Sequence, residues 1–160
     1  MENQKISVEQ AAKTLGALLV IGAYADAESL LKTLKECSHF EIDEGRFGQI
    51  HFELMHFYIN LADRLAFVYL GDPQRNRFFD MFLTQVYKNH WEGYKSADGK
   101  LEEKEFYNIF NETQKKRQAE YGAYRFSSEK GEGLKNDLFF EFDGKLAEIL
   151  GSKGDPLLMT

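Results

Sequence analysis

The chain has 160 residues, the length of one ordinary domain, and its 43% hydrophobic and 29% charged residues are typical of a globular protein. Lys and Arg number 20 against 26 Asp and Glu, so the net charge is −6, which disfavours binding to the phosphate backbone of a nucleic acid. The single cysteine, Cys37, excludes an intramolecular disulfide framework and a multi-cysteine zinc site.

The composition also predicts the fold class. Leucine occurs 18 times, valine 4 times and proline twice. Unbranched side chains lose little freedom in a helix, whereas strands favour β-branched residues. We therefore predict an all-α fold, with a single domain over residues 1–151 and a flexible C-terminal tail over 152–160. The domain is expected to have five to six helices packed around a long central helix at about 46–70.

The N-terminal part of the chain predicts two helices. Ser7 and Gln10 have the spacing of a capping box, and apolar residues recur at helical spacing behind them, so a first helix is expected over about 8–23. A second helix is expected over about 26–38. The apolar stretch Leu15–Ala25 is about half the ~20 residues that cross a bilayer, and acidic residues cancel the basic ones before it, where a signal peptide is positive. We expect a cytoplasmic protein with no membrane segment.

The third predicted helix, at about 46–70, is apolar over most of its circumference. Its polar residues follow at spacings of three and four, which places them in one narrow stripe along the helix. The stripe comprises Gln49, Glu53, His56, Asn60 and Asp63. We predict a core helix whose polar stripe faces water or a shallow groove.

Three further helices are predicted. The sequence Gly71-Asp72-Pro73 favours a helix end and a new start, with its aspartate as the N-cap of a helix over about 73–92. Later helices are expected over about 100–121 and 134–150. Residues 138–142 could alternatively form a strand, but one isolated strand would have no partner, so the helix is preferred.

Glu53 and His56 raise the question of a metal site, because Glu-x-x-His is the pair of ligands that di-iron helical bundles use. Such a bundle needs a second pair from a facing helix and two further carboxylates, and we do not expect the chain to supply that set. His51 and His56 are five residues apart, too far round a helix to share one zinc ion. We predict no cofactor, and we keep a metal, haem or small ligand near Glu53 and His56 as the alternative.

Residues Asp98–Glu105 resemble the second half of an EF-hand calcium loop. Gly99 would be the turn glycine and Glu105 the bidentate ligand. Tyr94 stands where the first aspartate of such a loop belongs, so the site lacks its anchor. We expect these residues to form the start of a helix and to bind no calcium.

Two groups of basic residues have no evident partner in the sequence. Arg75 and Arg77 lie in the first turns of a predicted helix, where they oppose the helix dipole and need an acidic neighbour, such as the loop 41–44 or a partner protein. The run Lys115–Arg117 is too short for a nucleic-acid footprint and is expected to be a solvated face.

Aromatic residues are frequent, with 14 Phe, 8 Tyr and 1 Trp. Aromatic rings fill cores and also anchor interfaces, and five of them cluster near the ends of the last two predicted helices. We predict that these five residues form the interface of a homodimer, with filling of one end of the core as the alternative. They are Tyr121, Tyr124, Phe126, Phe139 and Phe140.

The sequence lacks the motifs of familiar catalytic sites: a Gly-rich phosphate loop, a nucleophile elbow and a dinucleotide fingerprint. The leading hypothesis is therefore a soluble helical module that serves protein–protein interaction or regulation without catalysis. Its expected partner is another protein or a second copy of the chain, and neither a nucleic acid nor a membrane.

Overall fold

The computed structural model describes residues 6–37, 44–124 and 138–151. Within these ranges the chain is all-α, as predicted, and contains no strand. Phe126 and the predicted tail over 152–160 lie outside the described residues. The described helices are α1 (Val8–Cys37), α2 (Glu44–Leu70), α3 (Asp72–Ser96), α4 (Glu103–Gly122) and α5 (Leu138–Ile149).

The two N-terminal helices predicted from the sequence are in fact one continuous helix, α1, so that prediction is wrong. Ala23 and Ala27 are fully buried on either side of the expected break. Asp26 does not begin a new helix; its carboxylate accepts a hydrogen bond from the Tyr58 hydroxyl at 2.6 Å. Because no proline or glycine pair interrupts this region, burial of the two alanines favours an unbroken helix.

Helix α1 begins where the sequence predicts. The backbone N–H of Gln10 donates to Ser7 Oγ at 3.1 Å, which satisfies one of the free donors of the first turn. By length and composition alone the segment Val8–Glu36 is apolar enough to cross a membrane, and 22% of its apolar span is buried. Core helices and N-terminal signal sequences share that property, so it decides nothing by itself.

The described helices belong to two compact units that are interleaved in the chain. Unit 1 comprises Met1–Gly22 and Leu61–Thr113, and unit 2 comprises Ala23–Asn60 and Gln114–Thr160. Helices α1, α2 and α4 each contribute one part to each unit, whereas α3 belongs to unit 1 and α5 to unit 2. Each unit has its own aromatic interior.

The interior of unit 1 is built on α3, which buries Phe78, Phe82 and Val86. Phe78 stacks on Phe82 with ring centroids 5.5 Å apart. Helix α1 approaches α3 closely at Gly16, where a Cβ atom would lie 2.9 Å from the backbone oxygen of Phe82. The absence of a side chain at this glycine therefore sets the distance between the two helices.

Tyr94 organises the loop between α3 and α4. Its ring covers Gly99 so closely that a Cβ atom there would lie 2.1 Å from the ring. Its hydroxyl accepts the backbone N–H groups of Lys100 and Leu101, each at 3.0 Å. Tyr94, which stands where an EF-hand would have its first ligand, therefore shapes this loop by its own contacts.

The interior of unit 2 centres on Phe57 of α2. Its ring stacks on Phe142 of α5 with centroids 4.1 Å apart, and it meets the Tyr121 ring of α4 edge-on at 5.6 Å. Residues 138–142 lie within the helix α5, so the predicted helix is confirmed over the strand alternative. Leu138 at its start is buried. Gly151, with φ of 71°, follows the end of α5, as expected for a C-terminal glycine.

Candidate functional site

The polar stripe of α2 is buried. Glu53, His56, Asn60 and Asp63 expose 4%, 0%, 4% and 7% of their surface, and Gln49 at the N-terminal end of the stripe is exposed. The prediction that the stripe faces water or a shallow groove is therefore wrong. The physical reason is that polar side chains of other helices meet the stripe and satisfy its charges and hydrogen-bonding groups.

In unit 2 the stripe joins a matching set of side chains on α4, and together they form what we call the buried polar cluster. As residue numbers rise along α2 they fall along α4, so the two helices run antiparallel through the cluster. The helices are thereby joined by an ion pair and by two further hydrogen bonds. The members are Glu53 and His56 from α2, with Gln114, Arg117 and Tyr121 from α4.

Both oxygens of the Glu53 carboxylate accept hydrogen bonds. Its Oε2 atom accepts Nε and Nη2 of Arg117 at 2.8 and 2.6 Å, and its Oε1 atom accepts the hydroxyl of Tyr121. Burial acts to lower the pKa of Arg117, but its hydrogen bonds to Glu53 and Glu120 outweigh burial and hold that pKa above its usual value. Burial and the charge of Glu53 raise the pKa of Tyr121, so its phenol stays protonated and remains a donor.

His56 is fully buried and pairs with a neutral partner. Its Nδ1 atom lies 2.8 Å from Oε1 of Gln114, and its ring meets Phe52 edge-on with centroids 4.5 Å apart. Burial lowers the pKa of His56 to about 4; the hydrogen bond to Gln114 opposes this shift and the charge of Arg117 adds to it. The imidazole is therefore uncharged at neutral pH and donates from Nδ1–H to the amide oxygen.

The ion pairs continue from the cluster towards α5. Arg117 Nη1 donates to Glu120 at 2.6 Å, and Lys145 of α5 lies 3.1 Å from Glu120 and 3.4 Å from Glu141. The hydroxyl of Tyr124 donates to Glu141 at 3.0 Å. Burial acts to raise the pKa of Glu120, but Lys145 and Arg117 outweigh it and hold that pKa below its usual value. These contacts attach α5 to α4.

The structure does not assemble the metal site that Glu53 and His56 suggested. Among the residues that the structure describes, no three His, Cys, Asp or Glu side chains are grouped so that they could hold a metal ion. The chain carries a second Glu-x-x-His, at Glu36 and His39, which the prediction did not take into account. Glu36 is exposed near the end of α1, and His39 lies outside the described residues.

Unit 1 contains a second ion pair, and it supplies the acidic neighbour that Arg75 was expected to need. Its Nε and Nη2 atoms donate to the two oxygens of Asp63 at 2.8 and 2.7 Å. The acidic neighbour of Arg75 is therefore the last residue of the polar stripe. The sequence suggested the loop 41–44, of which residues 41–43 lie outside the described residues. The same guanidinium lies 5.5 Å from the ring centre of Phe67, a cation–π contact.

The structure distributes the five predicted interface residues between interior and surface. Tyr121 is fully buried and belongs to the polar cluster, so it does not lie on a surface that a partner could reach. Tyr124 and Phe140 are half-buried, and Phe139 exposes 48% of its surface. Phe126 lies outside the described residues.

Gln114 and Arg117 were not predicted to belong to a site, because the run Lys115–Arg117 was expected to be a solvated face. Lys115 and Lys116 are exposed as predicted, but Arg117 turns inward. A signal was present: Phe110, Gln114, Arg117 and Tyr121 follow at spacings of four, three and four, which is one face of a helix. That face continues the apolar side of α4 and could have been matched with the stripe of α2.

Exposed apolar side chains concentrate in unit 1. Among the described residues twelve large hydrophobic side chains are exposed, and ten of these belong to unit 1. Three of them form what we call the α1 face, Leu15, Leu18 and Ile21, and four form the α2 end, Leu65, Phe67, Val68 and Tyr69. The other three are Ile6, Tyr107 and Ile109.

Comparison with known proteins adds no further constraint. No protein-family model, no curated protein and no solved structure matches the chain. Two features of the structure bear on the function: the buried polar cluster and the exposed apolar surface of unit 1.

Proposed function

We propose that the chain is a non-catalytic module that binds protein partners through the α1 face and the α2 end of unit 1, which together we call the unit 1 surface. The observation that carries the proposal is the α2 end, where four large apolar side chains within five residues each expose more than half of their surface. Val68 and Tyr69 are the extremes, at 72% and 79% exposed. Soluble monomers rarely leave such groups uncovered, and the centres of protein interfaces are rich in apolar and aromatic side chains.

Three side chains of the α2 end suit a docking surface. Leu65, Val68 and Tyr69 share one side of the helix because they are spaced by three and four residues. Phe67 points elsewhere and lies beside the guanidinium of Arg75, which Asp63 holds in place. The apolar surface that a partner would cover is therefore the side that carries Leu65, Val68 and Tyr69.

The buried polar cluster supports the non-catalytic part of the proposal. A general base or a metal ligand needs an oxygen that is open to substrate or metal, but both oxygens of Glu53 accept hydrogen bonds inside the unit. His56 is enclosed as well, with no exposed surface. Using either group in a reaction would first require breaking contacts between α2 and α4.

Photo-crosslinking in cells that express the full chain tests the proposal. Tyr69 is replaced by p-benzoylphenylalanine, and Tyr107, which is 50% exposed and also belongs to unit 1, is replaced in the control. We expect ultraviolet light to give a discrete covalent protein adduct from position 69 and none from position 107. A folded chain that yields no protein adduct from position 69 would contradict the proposal.

A further inference from the structure

The α1 face is the most regular part of the apolar surface of unit 1. Leu15, Leu18 and Ile21 expose 49%, 56% and 66% of their surface. No charged residue occurs along the helix from Thr14 to Ala25. Gly22 lies next to this face with open space around it, because a Cβ atom there would meet nothing within 4 Å. A second helix could therefore approach the α1 face closely without meeting a charge.

We propose that the partner of the unit 1 surface is a second copy of this chain, with the α1 faces of the two copies paired across a two-fold axis. The inference rests on the proposed function, because it names the partner of the same surface. In a two-fold interface the same patch meets itself, so a charge close to the axis lies near its own copy and is repelled by it. The α1 face carries no charge and can therefore lie on the axis without that repulsion.

The exposed apolar area is of the size that such a dimer needs. A large side chain that is about half exposed or more offers roughly 100 Å² of apolar surface. Because Phe67 points to another side of α2, the other six side chains of the α1 face and the α2 end offer roughly 600 Å² in each copy. Each partner in a stable protein interface contributes about 800 Å², a little over half of it apolar.

The charges of α1 favour a second copy over a lipid surface. Helices that lie on membranes carry Lys and Arg on their polar side, which attract anionic headgroups. Helix α1 has four acidic residues against three basic ones, so it lacks the excess of Lys and Arg that holds such helices on an anionic membrane.

Sedimentation velocity of the purified full chain, from about 1 to 100 μM, tests the inference. Ile21→Glu places a carboxylate in each half of the two-fold interface, and Val68→Glu does so at the α2 end. The matched control is Ile6→Glu, because Ile6 is as exposed as Ile21, at 67% against 66%, but precedes α1. Since all three side chains are exposed, the variants should keep the helix content of the unsubstituted chain in circular dichroism.

We expect the unsubstituted chain and Ile6→Glu to sediment at twice the 18.5 kDa of one chain. Ile21→Glu should raise the dimer Kd by at least about a hundredfold, since an unpaired carboxylate would be buried in each copy. An unsubstituted chain that stays at 18.5 kDa at the highest concentration, or an Ile21→Glu variant that dimerises normally, would overturn the inference.

Two further outcomes separate the second copy from other partners. If the chain is monomeric but position 69 crosslinks to a protein of different mass, the inference fails and the proposed function stands. If the chain is monomeric and floats with vesicles of phosphatidylcholine and phosphatidylglycerol, with flotation lost in Ile21→Glu, the α1 face binds lipid and the inference is overturned. If position 69 gives no protein adduct at all, the proposed function fails as well.

Discussion

Arg117 donates two hydrogen bonds, at 2.8 and 2.6 Å, to a single oxygen of Glu53, while Tyr121 donates to the other oxygen. The side chain of Glu53 is 4% exposed and that of Arg117 is 18% exposed, so the pair is screened from water. A charge in such a place is tolerated only because its partner is present. The pair therefore joins α2 to α4, and removing one member should be far worse than removing both.

The first prediction concerns this asymmetry. Arg117→Met should lower the free energy of unfolding by roughly 3–5 kcal/mol, because it leaves Glu53 buried without its cation. Glu53→Met/Arg117→Met should cost less than Arg117→Met alone, since no unpaired charge remains between α2 and α4. Urea denaturation measures both. The control is Lys116→Met, on an exposed neighbour, which should change stability by no more than about 0.5 kcal/mol.

The second prediction is a loss of stability in mild acid that depends on His56. The pKa of its imidazole is about 4 in the folded chain against 6.5 for an ordinary histidine, so the unfolded chain binds the proton more readily. The contribution of His56 to the free energy of unfolding is fully present above about pH 6.5. It falls by roughly 1.4 kcal/mol per pH unit as the pH drops towards 4.

The test compares urea midpoints of the unsubstituted chain and His56→Gln between pH 7 and pH 5. Glutamine retains an amide that can pair with Gln114 but does not titrate. We expect the pH dependence in this range to be much weaker in the variant. An equal slope in both chains would show that His56 is not the group responsible.

The polar residues of α2 show which part of this interior could be predicted from the sequence. Their spacing of three and four correctly placed Glu53, His56, Asn60 and Asp63 on one side of a helix. Whether such a side faces water or other polar groups depends on what packs against it, and that is a property of the tertiary structure. Helical periodicity alone cannot distinguish a polar stripe that faces water from one that is buried against other polar side chains.

The predicted break in α1 was wrong for a related reason. Asp26, where the second helix was predicted to begin, is of a residue type that often caps helices. In the structure its carboxylate accepts a hydrogen bond from Tyr58, a residue 32 positions further along the chain. Local capping chemistry was therefore overridden by a contact that no local pattern contains. The all-α fold itself, which depends on composition and periodicity, was predicted correctly.

The third prediction uses two glycines of α1. Gly16→Ala should destabilise the chain by roughly 1–3 kcal/mol, because the new Cβ atom would lie 2.9 Å from the backbone oxygen of Phe82 and 3.0 Å from Cβ of Gln85. In the Ile21→Glu background, which should keep the chain monomeric, Gly22→Ala should instead stabilise it by roughly 0.5–1 kcal/mol, since nothing in the same chain lies within 4 Å of the new Cβ atom and alanine favours the helix. Thermal unfolding of both variants measures the difference, and equal effects would contradict the close approach of α1 and α3.

The fourth prediction concerns calcium. The loop at Asp98–Glu105 should bind none, because Tyr94 lacks the carboxylate of a first ligand and its hydroxyl already accepts the N–H groups of Lys100 and Leu101. Calorimetric titration with millimolar calcium should give no saturable heat. The fluorescence of Trp91, which stacks on Tyr94 with ring centroids 5.9 Å apart, should not change either. A specific Kd below about 1 mM would contradict this prediction.

The central claim is that the polar cluster holds the helices together while binding takes place on the apolar surface of unit 1. Photo-crosslinking from position 69 in the Glu53→Met/Arg117→Met background tests it most directly, with helix content confirmed by circular dichroism. The claim predicts a crosslinked adduct of the same mass, and within about twofold of the same yield, as in the unsubstituted background. Loss of that adduct from a double variant that is still folded would show that the buried cluster, and not the surface alone, carries the function.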